Sequence, residues 1–293
     1  MKPAPFDYHA PRTLDEAIGL MATLDNPKLL AGGQSLVAMM NFRYVIADHI
    51  IDLNTVAGLA GTAVIDGRLR IGAMTRQREL EFSADVANYC PLMREALSHV
   101  GHRQTRNRGT IGGSLAHADP SAELPTVCAA HDAMVEIAGQ SGTRKVPFAQ
   151  FGAGFMTTAV QPDEILTAVE LGPWPAGHGF GFREFARRRG DFAVVGAAAL
   201  LELGGDKRIK RAAVTLCGVA TSPLRMTAAE TALTGRALDR DAVQAAAATA
   251  RTLEPITDIH AGADYRRHLA EVLIRRAVVD AGKRAGVSLE GGA

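Results

Sequence analysis

Two glycine pairs constrain this chain more than any other feature. Ala31-Gly32-Gly33-Gln34-Ser35 follows a strand-like run, Lys28-Leu29-Leu30-Ala31, and precedes a stretch from Leu36 to Met40 that can open a helix. Gly109-Thr110-Ile111-Gly112-Gly113-Ser114 lies inside a polar stretch, Gly101 to Asp119, that holds four glycines and little periodicity. Paired glycines reach backbone conformations closed to other residues, and they remove the Cβ that would block a ligand. Successive N–H groups in such a segment can converge on an anion, with Ser35, Thr110 or Ser114 adding a hydroxyl donor. A pyrophosphate suits two such loops meeting from distant parts of one chain. A plain turn is the competing reading of either pair alone. Neither segment has the G-x-G-x-x-G fingerprint or the P-loop pattern, so a Rossmann or ATPase reading loses its main support.

Around these loops the pattern is α+β. Thr13-Leu14-Asp15-Glu16 predicts a capping box, with Leu14, Ala17, Ile18 and Met21 recurring at helical spacing. Thr62 to Ile71 predicts a hairpin, because Asp66-Gly67 supplies the positive φ angles of a type I′ turn. A helix is expected from Pro91 to about Val100, and strands at Ala133 to Ala138 and Ile165 to Leu171. Gly172-Pro173-Trp174-Pro175-Ala176-Gly177 is the best linker candidate. Beyond it, three strand-like runs (Phe180 to Ala186, Ala193 to Leu203, Ile209 to Val219) precede three helical stretches ending near Arg284, which suggests a separate α+β domain. At 293 residues, two or three domains are expected. Glu290 to Ala293 should fray.

Charge and cysteine usage narrow the function classes. There are 32 basic and 31 acidic residues, a net charge of +1, which gives no electrostatic case for nucleic acid or an anionic membrane. No apolar run approaches the ~18 residues of a membrane span. The longest, Phe192 to Leu201, fits a buried strand. The start, Met1 to Asp7, has no apolar signal core, so a cytoplasmic protein is expected. Cys90, Cys128 and Cys217 stand far apart with no Cys-x-x-Cys pair, arguing against a disulfide framework, a zinc site or an iron–sulfur cluster held by this chain alone. They read as small buried hydrophobes.

Three longer strings carry a resemblance: Leu29-Leu30-Ala31-Gly32-Gly33-Gln34-Ser35-Leu36, Gln104 to Ser114, and Ala118-Asp119-Pro120. With Ile71-Gly72-Ala73-Met74-Thr75, Gly190-Asp191-Phe192-Ala193 and Asp264-Tyr265-Arg266-Arg267, their order and spacing resemble the FAD-binding medium subunit of carbon monoxide dehydrogenase and its relatives. Those relatives form the xanthine oxidase family of molybdenum hydroxylases. The resemblance covers almost the whole chain and implies an α+β fold: a two-subdomain FAD-binding module of the vanillyl-alcohol oxidase (PCMH) type, at 1–57 and 58–175, followed by a C-terminal α+β domain at 178–288. It implies that Leu29, Leu30, Ala31, Gly32, Gly33, Gln34, Ser35 and Leu36 wrap the FAD pyrophosphate together with Thr110, Ile111, Gly112, Gly113 and Ser114, with Ala118 beside them. Glu123 falls where relatives usually carry an Asp bound to the cofactor, keeping the charge with a longer reach. Leu166 matches a position near the flavin, Arg183 one where Lys is common, and Phe192 a place near the isoalloxazine that is often Tyr. A cysteine-rich insertion holding a [4Fe–4S] cluster, found in some members, is missing from this sequence.

By the same resemblance, the partners are a large molybdenum-cofactor subunit and a small [2Fe–2S] subunit, in a dimer of heterotrimers. The FAD would pass electrons from those clusters to an external acceptor, and no residue here need act as a base on the organic substrate. A stand-alone flavoenzyme using the same cleft and a non-redox assembly module are the alternatives; the first needs a substrate pocket with acid–base groups that the sequence does not declare, and the intact glycine segments argue against the second. Smaller motifs have plainer readings. His99 and His102 form a helix-end pair without a third metal ligand nearby. His117 and Asp119 are expected to orient the second loop or touch phosphate or ribose. Arg103, Arg106 and Arg108 face either the cofactor, a partner or solvent, and Arg187-Arg188-Arg189 is a solvated or interface run.

Overall fold

The Thr13 capping box forms as its chemistry requires. Thr13 Oγ1 accepts the Glu16 N–H at 3.2 Å, and the Glu16 carboxylate receives the Thr13 N–H in return. It starts helix α1 (Leu14–Thr23), whose Ala17 and Ile18 are buried. In this computed structural model, which describes residues 1–287, α1 connects the parallel strands β1 (Asp7–His9) and β2 (Pro27–Leu30). Helix α2 (Leu36–Asn41) then leads to β3 (His49–Asp52), which lies between the other two. The fraying expected at Glu290 to Ala293, and the last residue of the 178–288 range, lie outside the described residues.

A second sheet is antiparallel, in the order β4 (Thr62–Ile65), β5 (Arg68–Gly72), β10 (Ile165–Leu171), β6 (Met134–Gly139) and β7 (Gly142–Pro147). The β4–β5 turn carries φ angles of 50° at Asp66 and 74° at Gly67, as the Asp-Gly signal predicts. Between β5 and β6 the chain leaves the sheet for six helices: α3 (Gln77–Phe82), α4 (Ala84–Tyr89), α5 (Pro91–Leu97), α6 (Arg103–Arg108), α7 (Ile111–His117) and α8 (Glu123–Ala130). Helix α5 stops at Leu97 because Ser98, His99 and Val100 donate three residues back, tightening the last turn before Gly101 at φ 45°. A small ribbon, β8 (Gly152–Gly154) with β9 (Thr157–Thr158), precedes β10.

The polar stretch from Gly101 to Asp119 is a correction to the sequence reading. It forms α6 and α7, where loops are expected. Helix α6 is short and polar, and α7 shows only the buried Ile111–Leu115 pair, too little for a visible apolar period; the second glycine pair sits in the first turn of α7 behind its Thr110 cap.

The last sheet is antiparallel, in the order β11 (Gly179–Phe185), β12 (Val195–Leu203), β13 (Ile209–Cys217) and β14 (Leu224–Arg225). Helices α9 (Thr227–Leu233), α10 (Arg240–Ala248) and α11 (Ala263–Arg284) cover one face. The other face does not stand apart: Phe182, Ala198, Leu200 and Ala213 join the same core as the α5, α7 and α8 side chains. Burial on both faces explains why β12 reads as a continuous apolar run and not an alternating one. Even the expected linker is fastened. Trp174 is buried, Arg211 stacks over its ring at 4.1 Å and donates to the Pro173 carbonyl at 3.2 Å.

Candidate functional site

A cavity of about 610 Å³ opens where the three sheets and the α6–α8 helices converge. That volume is within the ordinary range for a cofactor pocket, roughly 300–1,000 Å³. Of the sequence-derived site residues, Leu29, Ala31, Gly32, Gly33, Gln34, Ser35, Leu36, Thr110, Gly112, Gly113, Ser114, Glu123, Leu166 and Phe192 line it.

The first glycine segment has the form of an anion cradle. The chain leaves β2 at Leu30 and turns with Gly33 at φ +73°. Gln34 folds its amide back onto the Gly32 carbonyl at 3.2 Å, and Asn54 holds the Ala31 carbonyl at 2.9 Å. Asp52 in turn receives the Asn54 N–H at 2.9 Å and the Tyr8 hydroxyl at 2.6 Å, so the carbonyl side of the segment is anchored. Among the described residues, nothing accepts the backbone N–H groups of Gly33, Gln34 or Ser35, and Ser35 makes no side-chain cap bond. Three consecutive N–H groups without a protein acceptor are free to take a phosphate oxygen.

The second segment is built for contact. Its N–H groups are already spent: Ile111 on the Thr75 carbonyl at 3.2 Å, Gly112 on Ala73 at 2.8 Å, and Gly113 on Thr110 Oγ1 at 3.0 Å. Gly112 is where α7 touches the strand–helix corner, since a Cβ there would sit 2.5 Å from the Ala73 Cβ and 2.8 Å from its carbonyl oxygen. The two segments meet. A Cβ on Gly32 would lie 2.4 Å from the Arg108 carbonyl oxygen and 2.8 Å from the Gly109 Cα. A dinucleotide pyrophosphate fits what is present: one segment has N–H groups without a protein acceptor, and the other brings two glycines and the Ser114 hydroxyl to the same cavity.

The remaining walls differ in character. Leu166 and Ile165 come from β10 beside a bulge at Leu166/Ala168. Glu123 opens α8 and is 8% exposed; burial pushes its carboxyl up to about 7, against a bond from its own backbone N–H, with Asp119 adding to the rise. On β11, burial pushes Glu184 up to about 8, with Glu123 as the second cause, and Glu184 Oε2 has no hydrogen-bond partner. The C-terminal sheet closes the cavity through Gly190, Asp191 and Phe192, whose ring stays 65% exposed.

Four site residues lie elsewhere. Leu30 packs beside Met40, Ala47 and Ile50, and Ile111 is fully buried in the main core. Ala118 is the left-handed cap of α7, φ +50°, and faces a separate small cavity. Arg183 is on the wrong side of its strand: alternation along β11 points Phe182 into the core shared with the helices, and Arg183 toward α11, where Nε pairs with Asp280 at 2.5 Å. His117 and Asp119 do line the cavity. His99 packs its ring against Phe182, and burial lowers its pKa; His102 stands at the N-cap position of α6 without a side-chain cap bond. Arg106 pairs with Glu81 at 3.1 Å, while Arg103 and Arg187 to Arg189 are exposed. All three cysteines are buried, and burial pushes each thiol up, Cys90 to about 12. Among the described residues no group of three His, Cys, Asp or Glu side chains is placed to hold a metal, and no helix is long and apolar enough to cross a membrane.

Sequence reasoning missed Gln77, the first residue of α3. It lines the cavity, is buried, and its Oε1 has no hydrogen-bond partner. The signal was two residues beyond the string Ile71 to Thr75. Met39, Val45 and Met74 were also missed, because apolar lining looks like core until the fold is known.

Comparison with known proteins agrees with this geometry. Residues 4–174 match the model of the FAD binding domain in molybdopterin dehydrogenase, and residues 180–281 that of the CO dehydrogenase flavoprotein C-terminal domain. The chain is 38% identical to the 6-hydroxypseudooxynicotine dehydrogenase complex subunit alpha of Paenarthrobacter nicotinovorans, covering 97% of each. It is 36% identical to the carbon monoxide dehydrogenase medium chain of Afipia carboxidovorans, over 97% of this chain and 99% of that one. A solved carbon monoxide dehydrogenase from Hydrogenophaga pseudoflava superposes with a TM-score of 0.93 at 37% identity, covering 97% of this chain and 99% of its counterpart. With matches of this length and identity at both ends of the cavity, the chain belongs to the FAD-binding flavoprotein subunits of the carbon monoxide dehydrogenase and xanthine dehydrogenase family of oxidoreductases.

Proposed function

We propose that this chain is the electron-transfer subunit of a cytoplasmic heterotrimeric molybdenum hydroxylase. In this reading it takes electrons from [2Fe–2S] clusters on a small partner and passes them to an external acceptor, while a large molybdenum-cofactor subunit oxidises the organic substrate. FAD supplies the ability to accept electrons singly and release them in pairs; the chain supplies placement, tuning and shielding. The observation that carries the reading is the row of N–H groups without a protein acceptor at Gly33, Gln34 and Ser35, lining one cavity with the Gly112-Gly113-Ser114 turn of α7. Those N–H groups and the Ser35 and Ser114 hydroxyls would hold the pyrophosphate. Glu123 would accept from a sugar hydroxyl, with His117 and Asp119 nearby, and Leu166 and Phe192 would flank the ring system. Leu30, Ile111, Ala118 and Arg183 have no direct contact in this scheme. The subdomain limits at 57/58 and the boundary between 175 and 178 belong to the same reading. So does assembly as a dimer of heterotrimers; the relatives' designations as medium chains and complex subunits support it.

No acid–base pair of this chain is needed to activate an organic substrate, and that is testable. The chain expressed alone should show an oxidised flavin spectrum and release FAD on acid denaturation. Under anaerobic conditions aldehydes, nitrogen heterocycles and carbon monoxide should leave that spectrum unchanged until both partner subunits are added. Rapid bleaching by one of these substrates without partners would overturn the electron-transfer reading and favour a stand-alone flavoenzyme.

A further inference from the structure

The loop between β11 and β12, residues 186–193, closes one side of the cavity through Gly190, Asp191 and Phe192. Within this loop, Asp191 donates to the Arg188 carbonyl at 3.1 Å, and Gly190 rests against His102. Its stems are joined by one ladder bond, Val194 N–H to the Phe185 carbonyl at 2.8 Å. Both stems are gripped by consecutive residues of α11. The Tyr265 ring meets the Phe185 ring edge-on, with centroids 6.0 Å apart and planes at 88°. Arg266 reaches the opposite stem, donating from Nη1 to the Val194 carbonyl at 2.6 Å.

Arg266 is an unusual side chain for this duty. It is 1% exposed, and a buried guanidinium is costly unless its donors and charge are all answered. Here they are. The same Nη1 donates to the Gly218 carbonyl at 2.6 Å, and Nη2 pairs with Asp258 at 2.6 Å. Asp258 is itself fixed by the N–H groups of His260 and Ala261 at 2.8 and 3.0 Å. Gly218 carries the linkage further: its N–H donates to the Pro120 carbonyl at 2.8 Å, just before the cavity-lining Ala122 and Glu123. With φ +76° and a would-be Cβ only 2.3 Å from the Val194 oxygen, position 218 admits this approach only as glycine. One buried cation thus ties the loop stem, the end of β13 and the segment leading into α8.

We propose that Tyr265 and Arg266 are positioning residues for the cofactor cavity: together they hold the 186–193 loop in place and, through Gly218 and Pro120, hold it at a fixed distance from the Glu123 wall. Neither touches the cavity. The role rests on the FAD reading given above, but the placement of the loop is measurable without it.

The test uses the purified full-length chain and two readouts: backbone hydrogen exchange, and the FAD dissociation constant with the visible circular dichroism of the bound flavin. Arg266→Met should speed exchange at 186–193 and 119–123 while leaving the β4–β5 hairpin unchanged. It should raise the FAD dissociation constant at least tenfold and alter the dichroism band. Leu273→Ala, which removes a buried side chain about two turns beyond Arg266 on α11 and touches none of the Arg266 hydrogen bonds, is the control for lost stability. At a similar fall in melting temperature, it should leave both readouts as in wild type. Should Arg266→Met prove insoluble, Asp258→Asn and Tyr265→Leu weaken the same grip more gently and should give the same pattern, several-fold in affinity. Unchanged exchange at 186–193 in these variants would overturn the proposal, as would an affinity loss matched by Leu273→Ala. A wild-type chain that binds no FAD would sink the functional reading, and the exchange pattern would still decide the positioning role.

Discussion

The two glycine segments look alike in sequence and do different work. At 31–35 the backbone N–H groups are left unpaired and the carbonyls are tied down, so the segment presents donors to the cavity. At 109–114 every early N–H of α7 is consumed inside the protein, and the glycines serve close packing: Gly112 against Ala73, Gly109 against the Gln77 side chain. A glycine pair therefore says only that a side chain is unwelcome. Whether the space belongs to a ligand or to the protein's own backbone depends on what the fold brings opposite.

The sharpest way to break this contrast is to add a side chain on each side. Gly112→Val forces a Cβ into the Ala73 backbone and should cost about 3 kcal/mol or more of stability, near the upper end for an overpacked core. Gly33→Val adds strain at φ +73° that is worth about 1–3 kcal/mol, yet meets only the ends of the Val37 and Leu30 side chains. Its main effect should be on FAD affinity, roughly tenfold or more, equal to about 1.4 kcal/mol of binding. Denaturant titration and flavin-release measurements on the two variants should rank in opposite orders. The same order for both would remove the distinction between donor and spacer.

A second test concerns Glu123, buried at the cavity, and Glu184, half-buried on β11. Their folded pKa values, about 7 and about 8, lie above the ordinary carboxyl value, so the native state holds protons that the unfolded chain has lost. Stability should then be full below about pH 4.5, where both states are protonated, and should fall as pH rises through the folded pKa values. The slope is at most about 1.4 kcal/mol per pH unit for each proton. Glu184→Gln, measured by urea unfolding without added flavin between pH 5 and pH 8 (on the order of the two pKa values), should flatten the decline. A decline as steep as in wild type would show that Glu184 ionises without penalty.

The smallest expected effect separates two hydroxyls. Thr110 caps α7 by accepting the Gly113 N–H at 3.0 Å, so Thr110→Ala should cost about 1 kcal/mol of stability. Ser35 makes no cap bond, and Ser35→Ala should leave stability within about 0.5 kcal/mol while weakening flavin binding. Thermal unfolding of both apo-proteins gives the comparison; equal losses would make Ser35 a structural residue too.

Sequence signals that act over a few residues carried well. The Thr13–Glu16 box, the Asp66-Gly67 turn and the order of three strands and three helices after residue 178 all depend on neighbours two to four positions away, and such spacing is visible in one dimension. The helices α6 and α7 were not visible, because α6 is six polar residues with Arg106 paired to Glu81, and α7 shows only the Ile111–Leu115 pair and is held by its Thr110 cap and by bonds to Thr75 and Ala73. Arg183 shows the same limit in a strand. Its position matches a motif, but the alternation of β11 relative to α11 decides which way it faces, and that is a tertiary fact. The C-terminal α+β unit was legible as well, but not that one face of its sheet is buried on α5 and α8, because no local spacing shows which surfaces pack together.

By itself, the sequence determined where backbone may bend, which segments admit no side chain, and, through the order of its motifs, the family. The tertiary structure alone decided which glycines line the cavity, that Gln77 and Glu184 leave buried oxygens without partners, and that Arg266 bonds the Val194 carbonyl 72 residues away in the chain. The physical reason is that a hydrogen-bonding group's role is fixed by its partner, and partners at this site come from distant segments that no local spacing can bring together.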